Sequence, residues 1–389
     1  MHFLYFFFVS LVLGMIYIHL RFTKGLSDKK SVRFFLLALV LSVVLCTFLT
    51  LLAKIKGHAG PGIDALAWYA YCGIGILSFL LTLLFIHDAI GCIVSLFRRL
   101  FSRGTPHPAQ AGQRRFFLKK SVAIGLSGGA FMLSGAGIYN AKKTPGVKEV
   151  IIPVKHLHPD LDGFSLVQIT DIHMGSTIKK NFLEEVVQKV NALSPSVVAL
   201  TGDLADGFVK DLGNEVLPLG NLKSVYGNYF VTGNHEYYFN AEQWVEKVGQ
   251  LGFTVLNNTH RLIQAGDGRV LVAGVTDIRA EQFIPAHRSD PAKAIENAPF
   301  SHIKILLAHQ PKSVYDAAKA GFDVQLSGHT HGGQLFPWNF IVGLDQPFLA
   351  GPYIHKNVFL YVSRGTGYWG PPMRLGSPSE ITRIILKGA

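Results

Sequence analysis

The sequence predicts a membrane-anchored α/β protein, in which N-terminal transmembrane helices precede one globular domain. Long apolar stretches occupy the first 140 residues, whereas short apolar runs alternate with helical patterns from about residue 150 onward. The charge divides at the same place. Residues 1–148 carry 17 Lys and Arg against three acids, and the remainder carries 20 against 22. We therefore expect a transmembrane region over 1–140, a linker over 141–150 and a globular domain over 151–389.

Four stretches in the first part are long and apolar enough to cross a bilayer, which takes about 20 helical residues. They are residues 1–20, 34–53, 66–96 and 122–139. The third contains His87 and Asp88. Because this stretch exceeds one span, we place the pair at its inner end, and the alternative is an intramembrane functional pair.

The basic residues of the short loops predict the orientation. They are concentrated after the first and third stretches, which puts both loops in the cytoplasm and everything after Tyr139 outside. The run from Arg114 to Lys119 also looks like a twin-arginine export signal, although a plain basic flank explains it equally well. We expect an integral protein of the plasma (inner) membrane with an extracytoplasmic domain. Its basic flanks favour membrane lipids as partners, and a nucleic-acid groove is not indicated.

The globular part predicts seven strands and three helices. The predicted strands span residues 164–170, 196–201, 228–232, 269–275, 303–308, 323–327 and 357–363. The predicted helices span residues 182–193, 241–251 and 312–320, and Asn181 is the expected cap of the first.

Polar side chains of the types that bind metals follow five of these strands directly. They are Asp171 and His173, Asp203, Asn234 with His235 and Glu236, His309, and His329 with His331. Each motif alone is weak, because Gly-Asp is a common turn and a single histidine after a strand is usually structural. Asp-x-His and His-x-His are more specific, since alternate side chains can grip one ion. Loops that leave the strand ends of an α/β sheet lie side by side, so all five can converge.

Taken in order, Asp-x-His, Gly-Asp, Gly-Asn-His-Glu, His and Gly-His-x-His resemble the complete signature of the calcineurin-like metallophosphoesterase superfamily. The resemblance covers roughly residues 150–389 and implies two packed β-sheets flanked by helices. The closing stretch from Ser363 to Glu380 looks like the membrane-anchored bacterial branch, which is similar to enzymes that cleave UDP-2,3-diacylglucosamine and to general phosphodiesterases. That likeness implies hydrolysis of a phosphodiester or pyrophosphate bond, on a lipid-linked or envelope substrate, and a place in lipid A biosynthesis.

The resemblance also implies two divalent metal ions and assigns their ligands. One ion takes Asp171, His173 and His331, the other takes Asn234, His309 and His329, and Asp203 bridges both. Carboxylate and amide oxygens with four imidazoles suit Mn²⁺, Fe or Zn²⁺ better than Ca²⁺. Two such ions neutralise the phosphate and acidify a shared water, so that a bridging hydroxide attacks directly.

The resemblance makes His235 the general acid, which protonates the departing alkoxide. The family pattern pairs this histidine with a carboxylate three residues after the bridging aspartate, and Asp206 stands at that place. A carboxylate partner raises the imidazole pKa and orients the ring. The alternative for Asp206 is a solvated turn residue.

Two groups of residues near the C-terminus remain open. Arg364 and Arg374 either bind phosphate or make structural ion pairs. The aromatic group is expected to pack in loops, with a substrate pocket or the bilayer interface as alternatives; it comprises Phe336, Trp338, Phe340, Tyr368 and Trp369.

Two questions remain open, namely whether the domain is active and on which side of the membrane it lies. A catalytically inactive membrane scaffold could keep the same fold, but it would be free to lose ligands, and none of the seven is missing. The side of the membrane is the second question. UDP-linked lipid intermediates are made in the cytoplasm, whereas the loop charges put the domain outside. Either the substrate is an exported lipid or envelope phosphodiester, or the orientation is inverted.

Overall fold

The computed structural model describes residue 9 and residues 12–23, 29–101 and 111–389, without the side chains of residues 22–23 and 111–116. The chain divides into two compact units. One comprises Met1–Leu52 and Ala65–Ile138, and the other comprises Ala53–Asp64 and Tyr139–Ala389.

Within the described residues, three helices are long and apolar enough to cross a membrane, so the chain is a membrane protein. They are α1 (Lys30–Ile55), α2 (Pro61–Phe101) and α3 (Ala111–Lys142). The first predicted stretch, residues 1–20, lies partly outside the described residues. Its described part contributes a shorter apolar helix, Val12–Arg21.

Asp88 of α2 forms an ion pair within the first unit. Its carboxylate accepts two hydrogen bonds of 2.7 Å from Arg21, and Tyr17 donates a third of 2.6 Å. Pairing of this kind lets an apolar helix carry a carboxylate at low cost. α2 continues 13 residues past Asp88.

The second unit contains two six-stranded sheets. Their strands are β1 (Gly146–Val154), β2 (Ser165–Ile169), β3 (Val197–Thr201), β4 (Asn228–Val231), β5 (Phe253–Val255), β6 (Thr259–Ala265), β7 (Gly268–Gly274), β8 (Ile303–Leu307), β9 (Val324–Ser327), β10 (Gly351–His355), β11 (Val358–Val362) and β12 (Glu380–Gly388). The order in the first sheet is β1-β12-β2-β3-β4-β5, and in the second it is β10-β11-β9-β8-β7-β6.

Seven helices of this unit lie in the connections. They are α4 (Lys180–Ala192), α5 (Val209–Leu212), α6 (Asn234–Tyr238), α7 (Ala241–Gln250), α8 (Pro291–Ala294), α9 (Val314–Ala320) and α10 (Trp338–Asp345). Short 3₁₀ turns at Pro159–Leu161, Leu217–Asn221, Ala280–Gln282, Pro285–His287, Pro311–Ser313 and His331–Gly333 complete the unit.

Alternation along the strands explains how the two sheets pack. In β2, Val167 and Ile169 pack with the apolar face of α4, whereas Leu166 faces a second core shared with strands of the other sheet. Every residue of β2 and β3 is buried, because helices cover the outer face and the second sheet covers the inner one. The prediction of two packed sheets flanked by helices is confirmed.

The start of the second unit differs from the predicted linker over 141–150. α3 ends at Lys142 and β1 begins at Gly146. β1 pairs in parallel with β12 over its whole length, from Gly146 opposite Glu380. It is an edge strand whose first four side chains are exposed, so the apolar pattern that predicts a strand is confined to its second half.

The helix predicted over 182–193 begins earlier, at Lys180, with Lys179 as its N-cap residue. Asn181 is therefore inside the first turn and is not the cap. Glu215 instead accepts a hydrogen bond of 2.7 Å from the backbone N–H of Lys180, so a distant carboxylate satisfies this helix end.

Candidate metal centre

The five motifs converge because of the strand order. β2, β3 and β4 are parallel neighbours in the first sheet, and β8 and β9 are parallel neighbours in the second. Parallel neighbours end at the same edge, so the residues that follow these strands meet where the two sheets adjoin. We call this the catalytic edge; it carries residues 170–175, 202–206, 233–236, 309 and 328–333.

Asp171, His173 and His331 form one cluster of metal-ligand atoms. Nε2 of His173 lies 3.0 Å from Nε2 of His331, which in turn lies 3.4 Å from Oδ1 of Asp171. All three side chains are buried, and their ligand atoms lie within 4.8 Å of one another. This spacing suits three atoms that share one ion.

Asp203, His309 and His329 form the second cluster. Nε2 of His309 lies 3.1 Å from Oδ2 of Asp203 and 3.3 Å from Nδ1 of His329. Asn234 begins helix α6, and its Oδ1 is buried without a hydrogen-bond partner among the described residues. A buried, unpaired amide oxygen is costly unless a cation takes it.

Asp203 stands between the two clusters. Its Oδ2 faces His309 at 3.1 Å and Nε2 of His173 at 3.8 Å, so one carboxylate adjoins both sets of ligand atoms. Its Oδ1 accepts a hydrogen bond of 2.9 Å from the backbone N–H of His235, which fixes the carboxylate plane. All seven predicted ligands thus lie on the catalytic edge.

The two predicted catalytic residues lie beside these clusters. Oδ1 of Asp206 is 2.7 Å from Nδ1 of His235 and 2.8 Å from Nδ1 of His173, so it contacts both rings. The contact with His173 forms a hydrogen bond, while the one with His235 is a close ion pair. Nε2 of His235 lies 3.8 Å from Asp203 and faces the clusters.

The electrostatics of this pair follow from its burial and charges. Burial lowers the pKa of His235, but the carboxylates of Asp203 and Asp206 outweigh it and raise the pKa to about 9. Burial raises the pKa of Asp206, but the imidazoles of His173 and His235 outweigh it and hold the pKa well below its usual range. The pair therefore consists of an imidazolium and a carboxylate near neutral pH.

The donor set fits divalent cations. Burial raises the pKa of Asp171, whereas burial and neighbouring cations lower the pKa of His329 and His331 well below the usual range. The two histidines are neutral near pH 7 and present the lone pairs that metals bind. A cation would also stabilise the buried charge of Asp171. These nitrogen and oxygen atoms suit Mn²⁺, Fe or Zn²⁺.

Five of the predicted ligands have a left-handed backbone. The φ angles are 53° at Asp171, 54° at His173, 52° at Asp203, 71° at His329 and 50° at His331. This conformation costs non-glycine residues about 1–3 kcal/mol each and concentrates at functional sites. Here it turns the side chains at each strand end toward the neighbouring strands.

Glu236 positions the loops of the site. It belongs to the Gly-Asn-His-Glu motif, but the sequence did not reveal this role. Its fully buried carboxylate accepts backbone hydrogen bonds of 2.6 Å from Gly233, 3.0 Å from Asp203 and 2.8 Å from Leu204. One carboxylate thus joins the loops after β3 and β4. The only sequence signal was its place after the Gly-Asn-His motif.

Two neighbouring groups orient ligands in a similar way. The hydroxyl of Thr170 donates a hydrogen bond of 2.8 Å to Oδ2 of Asp171. Nδ1 of His309 lies 2.8 Å from the carbonyl oxygen of Thr201, so that nitrogen carries a proton and Nε2 is directed at Asp203 in the second cluster. One group is a side chain just outside the motif and the other is a backbone carbonyl, so motif reading cannot reveal them.

Close backbone approach explains one glycine of the motifs. A Cβ atom on Gly328 would overlap Oδ2 of Asp171 and the hydroxyl of Thr170. The loop after β9 therefore passes directly over the first cluster, and the backbone N–H of His329 donates to the Asp171 carboxylate at 3.0 Å.

The two open arginines have structural roles. Arg374 is fully buried, and its guanidinium donates to the carbonyl oxygens of Gly367, Ser377 and Arg364. It also lies 3.1 Å from Nδ1 of His331. Arg364 pairs with Glu380 at 3.1 Å and keeps part of its side chain exposed. Only Arg364 is accessible to a ligand.

The aromatic group divides between loop packing and exposure. Tyr368 is buried and donates a hydrogen bond of 3.0 Å to Thr177, as loop packing predicts. Trp369 is partly exposed, with its ring centroid 6.3 Å from that of His235. Phe336 and Phe340 are exposed, although their rings meet edge to face with centroids 6.0 Å apart.

A cavity of about 310 Å³ lies next to the loop of His331. Its lining includes Gly332, Leu335, Phe336, Leu349, Arg364 and Leu375. Asn339 and Tyr353 also line it, so its wall combines one charged side chain with polar and apolar ones in similar measure.

Comparison with known proteins agrees with the motifs. The family model described as calcineurin-like phosphoesterase matches residues 164–333. The "Transmembrane protein with metallophosphoesterase domain" of Danio rerio is 34% identical over 399 residues, which cover 97% of this chain and 87% of that protein. The protein of the same name from Bos taurus is 40% identical and covers 71% of this chain and 64% of its own length.

A bacterial relative gives the same family. The "Uncharacterized metallophosphoesterase" of Helicobacter pylori strain J99 is 36% identical over 70% of this chain and 72% of its own. The crystal structure of the calcineurin-like phosphoesterase YfkN from Bacillus subtilis is 16% identical, covers 53% of this chain and 82% of that one, and has a TM-score of 0.37. This chain belongs to the calcineurin-like metallophosphoesterases, metal-dependent hydrolases of phosphoester bonds, as a transmembrane member.

Proposed function

We propose that the chain is a dinuclear metal-dependent hydrolase of phosphodiester or pyrophosphate bonds. The observation that supports this most is the position of Asp203, whose Oδ2 lies 3.1 Å from His309 in one cluster and 3.8 Å from His173 in the other. A carboxylate shared by two sets of ligand atoms is the arrangement that two neighbouring cations require.

In this proposal the ligands divide as the two clusters do. Asp171, His173 and His331 would hold one cation, Asn234, His309 and His329 would hold the other, and Asp203 would serve both. When bound, the two cations would neutralise the phosphate oxygens and lower the pKa of a shared water that attacks phosphorus. The remaining chemistry belongs to protein side chains.

His235 protonates the leaving group. Its Nε2 faces the clusters, and it is protonated near neutral pH because the carboxylates of Asp203 and Asp206 raise its pKa to about 9. Asp206 holds the ring through Nδ1, so Nε2–H is the nitrogen that donates. The proton passes to the departing alkoxide, and neutral His235 recovers it from solvent. No covalent phosphoenzyme is required.

The substrate that we propose is lipid-linked. The feature that supports this is that the chain is a membrane protein. The cavity beside His331 offers Arg364 for the phosphate, with polar and apolar side chains around it. UDP-2,3-diacylglucosamine, and hence lipid A biosynthesis, is the specific candidate from the sequence resemblance. An exported phospholipid or another envelope phosphodiester has the same chemistry, namely an anionic phosphate next to acyl chains.

We further propose that the globular domain lies outside the inner membrane. The basic loops after the first and third apolar stretches support this orientation. A reporter fused after Tyr139 tests it. Alkaline phosphatase activity is expected, whereas fluorescence of a reporter that matures only in the cytoplasm would reverse the orientation.

The catalytic proposal is tested with the full-length protein purified in detergent and loaded with Mn²⁺, Fe²⁺ or Zn²⁺. The substrates are bis(p-nitrophenyl) phosphate, p-nitrophenyl phosphate and UDP-2,3-diacylglucosamine. We expect two metal equivalents per chain, diester or pyrophosphate cleavage, and loss of both in Asp203→Asn. Asp316→Asn, an exposed carboxylate on α9, is the matched control and should behave as wild type.

A different result would favour the scaffold. If metal-loaded wild-type protein cleaves none of these substrates and Asp203→Asn is indistinguishable from it, the enzyme proposal is wrong. If aryl diesters are cleaved but UDP-2,3-diacylglucosamine is not, the hydrolase stands and this lipid substrate is excluded.

A further inference from the structure

The helix α10 exposes its apolar side chains instead of burying them. Its sequence from Trp338 to Asp345 is WNFIVGLD, and none of its residues is buried. Phe340 is 66% exposed and Leu344 is 88% exposed, with Ile341 also exposed. A helix on the surface of a water-soluble domain normally turns such residues toward the core, so a contiguous exposed group indicates a binding surface.

The position of α10 connects this surface to the catalytic edge. The helix begins seven residues after His331, and its base is fixed by Gln334, which donates hydrogen bonds to the carbonyl oxygens of Trp369 and Pro371. Leu335 also bridges Leu375. The apolar helix therefore lies on the same loop as the predicted ligands His329 and His331.

The nearest apolar phase is the membrane to which the chain is anchored. The helix α3, apolar enough to cross a membrane, ends at Lys142, and β1 begins at Gly146. Three intervening residues reach at most about 10 Å. The chain itself therefore keeps the start of β1 close to the end of a membrane helix.

A second connection lies within the second unit. The end of α1, the turn after it and the start of α2, residues 53–64, belong to the compact unit that contains the sheets. Asp64, in the first turn of α2, forms an ion pair of 2.8 Å with Lys179, which lies six residues after His173. The start of a membrane helix is thus attached close to the first motif.

We propose that α10 inserts into the bilayer interface and holds the catalytic edge against the lipid headgroups. Phe340, Ile341 and Leu344 enter the acyl region, and Trp338 lies at headgroup depth, where its ring is favourable. The inference does not depend on which substrate is cleaved. Its partner is the lipid surface itself.

The test uses the full-length chain in nanodiscs of phosphatidylcholine and phosphatidylglycerol. In a background where Cys46, Cys72 and Cys92 are replaced by Ala, Leu344→Cys is labelled with the environment-sensitive dye NBD. We expect a shift of the emission to shorter wavelength and quenching by lipids brominated in their acyl chains. Because Leu344 is almost fully exposed, this substitution leaves the fold intact, and a thermal unfolding curve checks it.

Val225→Cys is the matched control. Val225 is 71% exposed and apolar, but it precedes β4, so it lies at the edge of the sheet opposite to the motifs. It should show neither the shift nor the quenching. Equal signals at both positions, or no signal at Leu344, would overturn the proposal. A shift at Leu344 without quenching by brominated lipid would also overturn it, because a second protein copy would then cover the helix.

Discussion

The Oδ1 atom of Asp206 lies 2.7 Å from Nδ1 of His235. The same oxygen accepts a hydrogen bond of 2.8 Å from His173, a predicted metal ligand. One carboxylate therefore orients both the proposed acid and a ring of the first cluster. This shared contact distinguishes Asp206 from the solvated turn residue that was its alternative in the sequence.

Substitution of Asp206 by Asn should slow turnover and weaken metal binding together. We expect kcat to fall about 10- to 100-fold, the range for loss of a partner that orients a metal ligand. Asp203→Asn should cost more, since it removes the proposed bridge. Steady-state kinetics with metal analysis measure both. Unchanged kcat in Asp206→Asn would contradict the orienting role, and Asp316→Asn is the surface control.

Substitution of His235 by Asn should matter most when the leaving group is poor. An alkoxide needs a proton as it departs, whereas p-nitrophenolate does not, so alkyl diesters should lose about 10²- to 10⁴-fold and aryl diesters far less. Rates on paired alkyl and aryl substrates check this. Equal losses on both would show that His235 does not act as the acid.

The same group predicts the alkaline side of the pH profile. The protonated form of His235 is the active one. Burial lowers its pKa, but the carboxylates of Asp203 and Asp206 outweigh this effect and raise the pKa to about 9. Activity on alkyl diesters should therefore decline as pH rises toward and through about 9. In Asp206→Asn, the loss of one anion lowers this pKa, so the decline should begin at lower pH. If the alkaline decline begins at the same pH in Asp206→Asn as in the wild type, a group other than His235 causes the decline.

Substitution of Glu236 by Gln should destabilise the second unit. Its two oxygens accept three backbone N–H groups, and an amide NH₂ in place of one oxygen leaves at least one buried donor unpaired. Such a donor costs about 1–3 kcal/mol. Thermal unfolding measures the change. Glu246→Gln, on the exposed face of α7, should leave the unfolding temperature unchanged.

Removal of metal should also destabilise the protein. Ligands that bind only the native state add about 2.7 kcal/mol at 100 times their Kd, and here they also stabilise the buried carboxylate of Asp171. Chelation should lower the unfolding temperature, and re-addition of Mn²⁺ should restore it. In His309→Ala the metal content should fall from two equivalents toward one. An unfolding temperature that changes with neither chelation nor re-addition of Mn²⁺ would argue against a metal centre.

Much of the fold was accessible from the sequence because both faces of the central strands are buried. Continuous apolar runs predicted β2, β3, β8 and β9 to within one or two residues at each end. The edge strand β1 was not predicted, because its first four side chains are exposed and leave no apolar pattern. The cap of α4 was not predicted either, because the carboxylate of Glu215, distant in sequence, accepts the hydrogen bond at this helix end.

The sequence by itself determined the membrane anchor, the α/β class and the set of candidate metal ligands, because hydropathy and strand-end motifs are local properties of the chain. Only the tertiary structure decided how those residues meet. Asp203 faces two clusters because β3 of one sheet and β8 of the other end at the same edge. The roles of Asp206, Glu236 and exposed Leu344 also depend on contacts between distant segments, and no local pattern encodes such contacts.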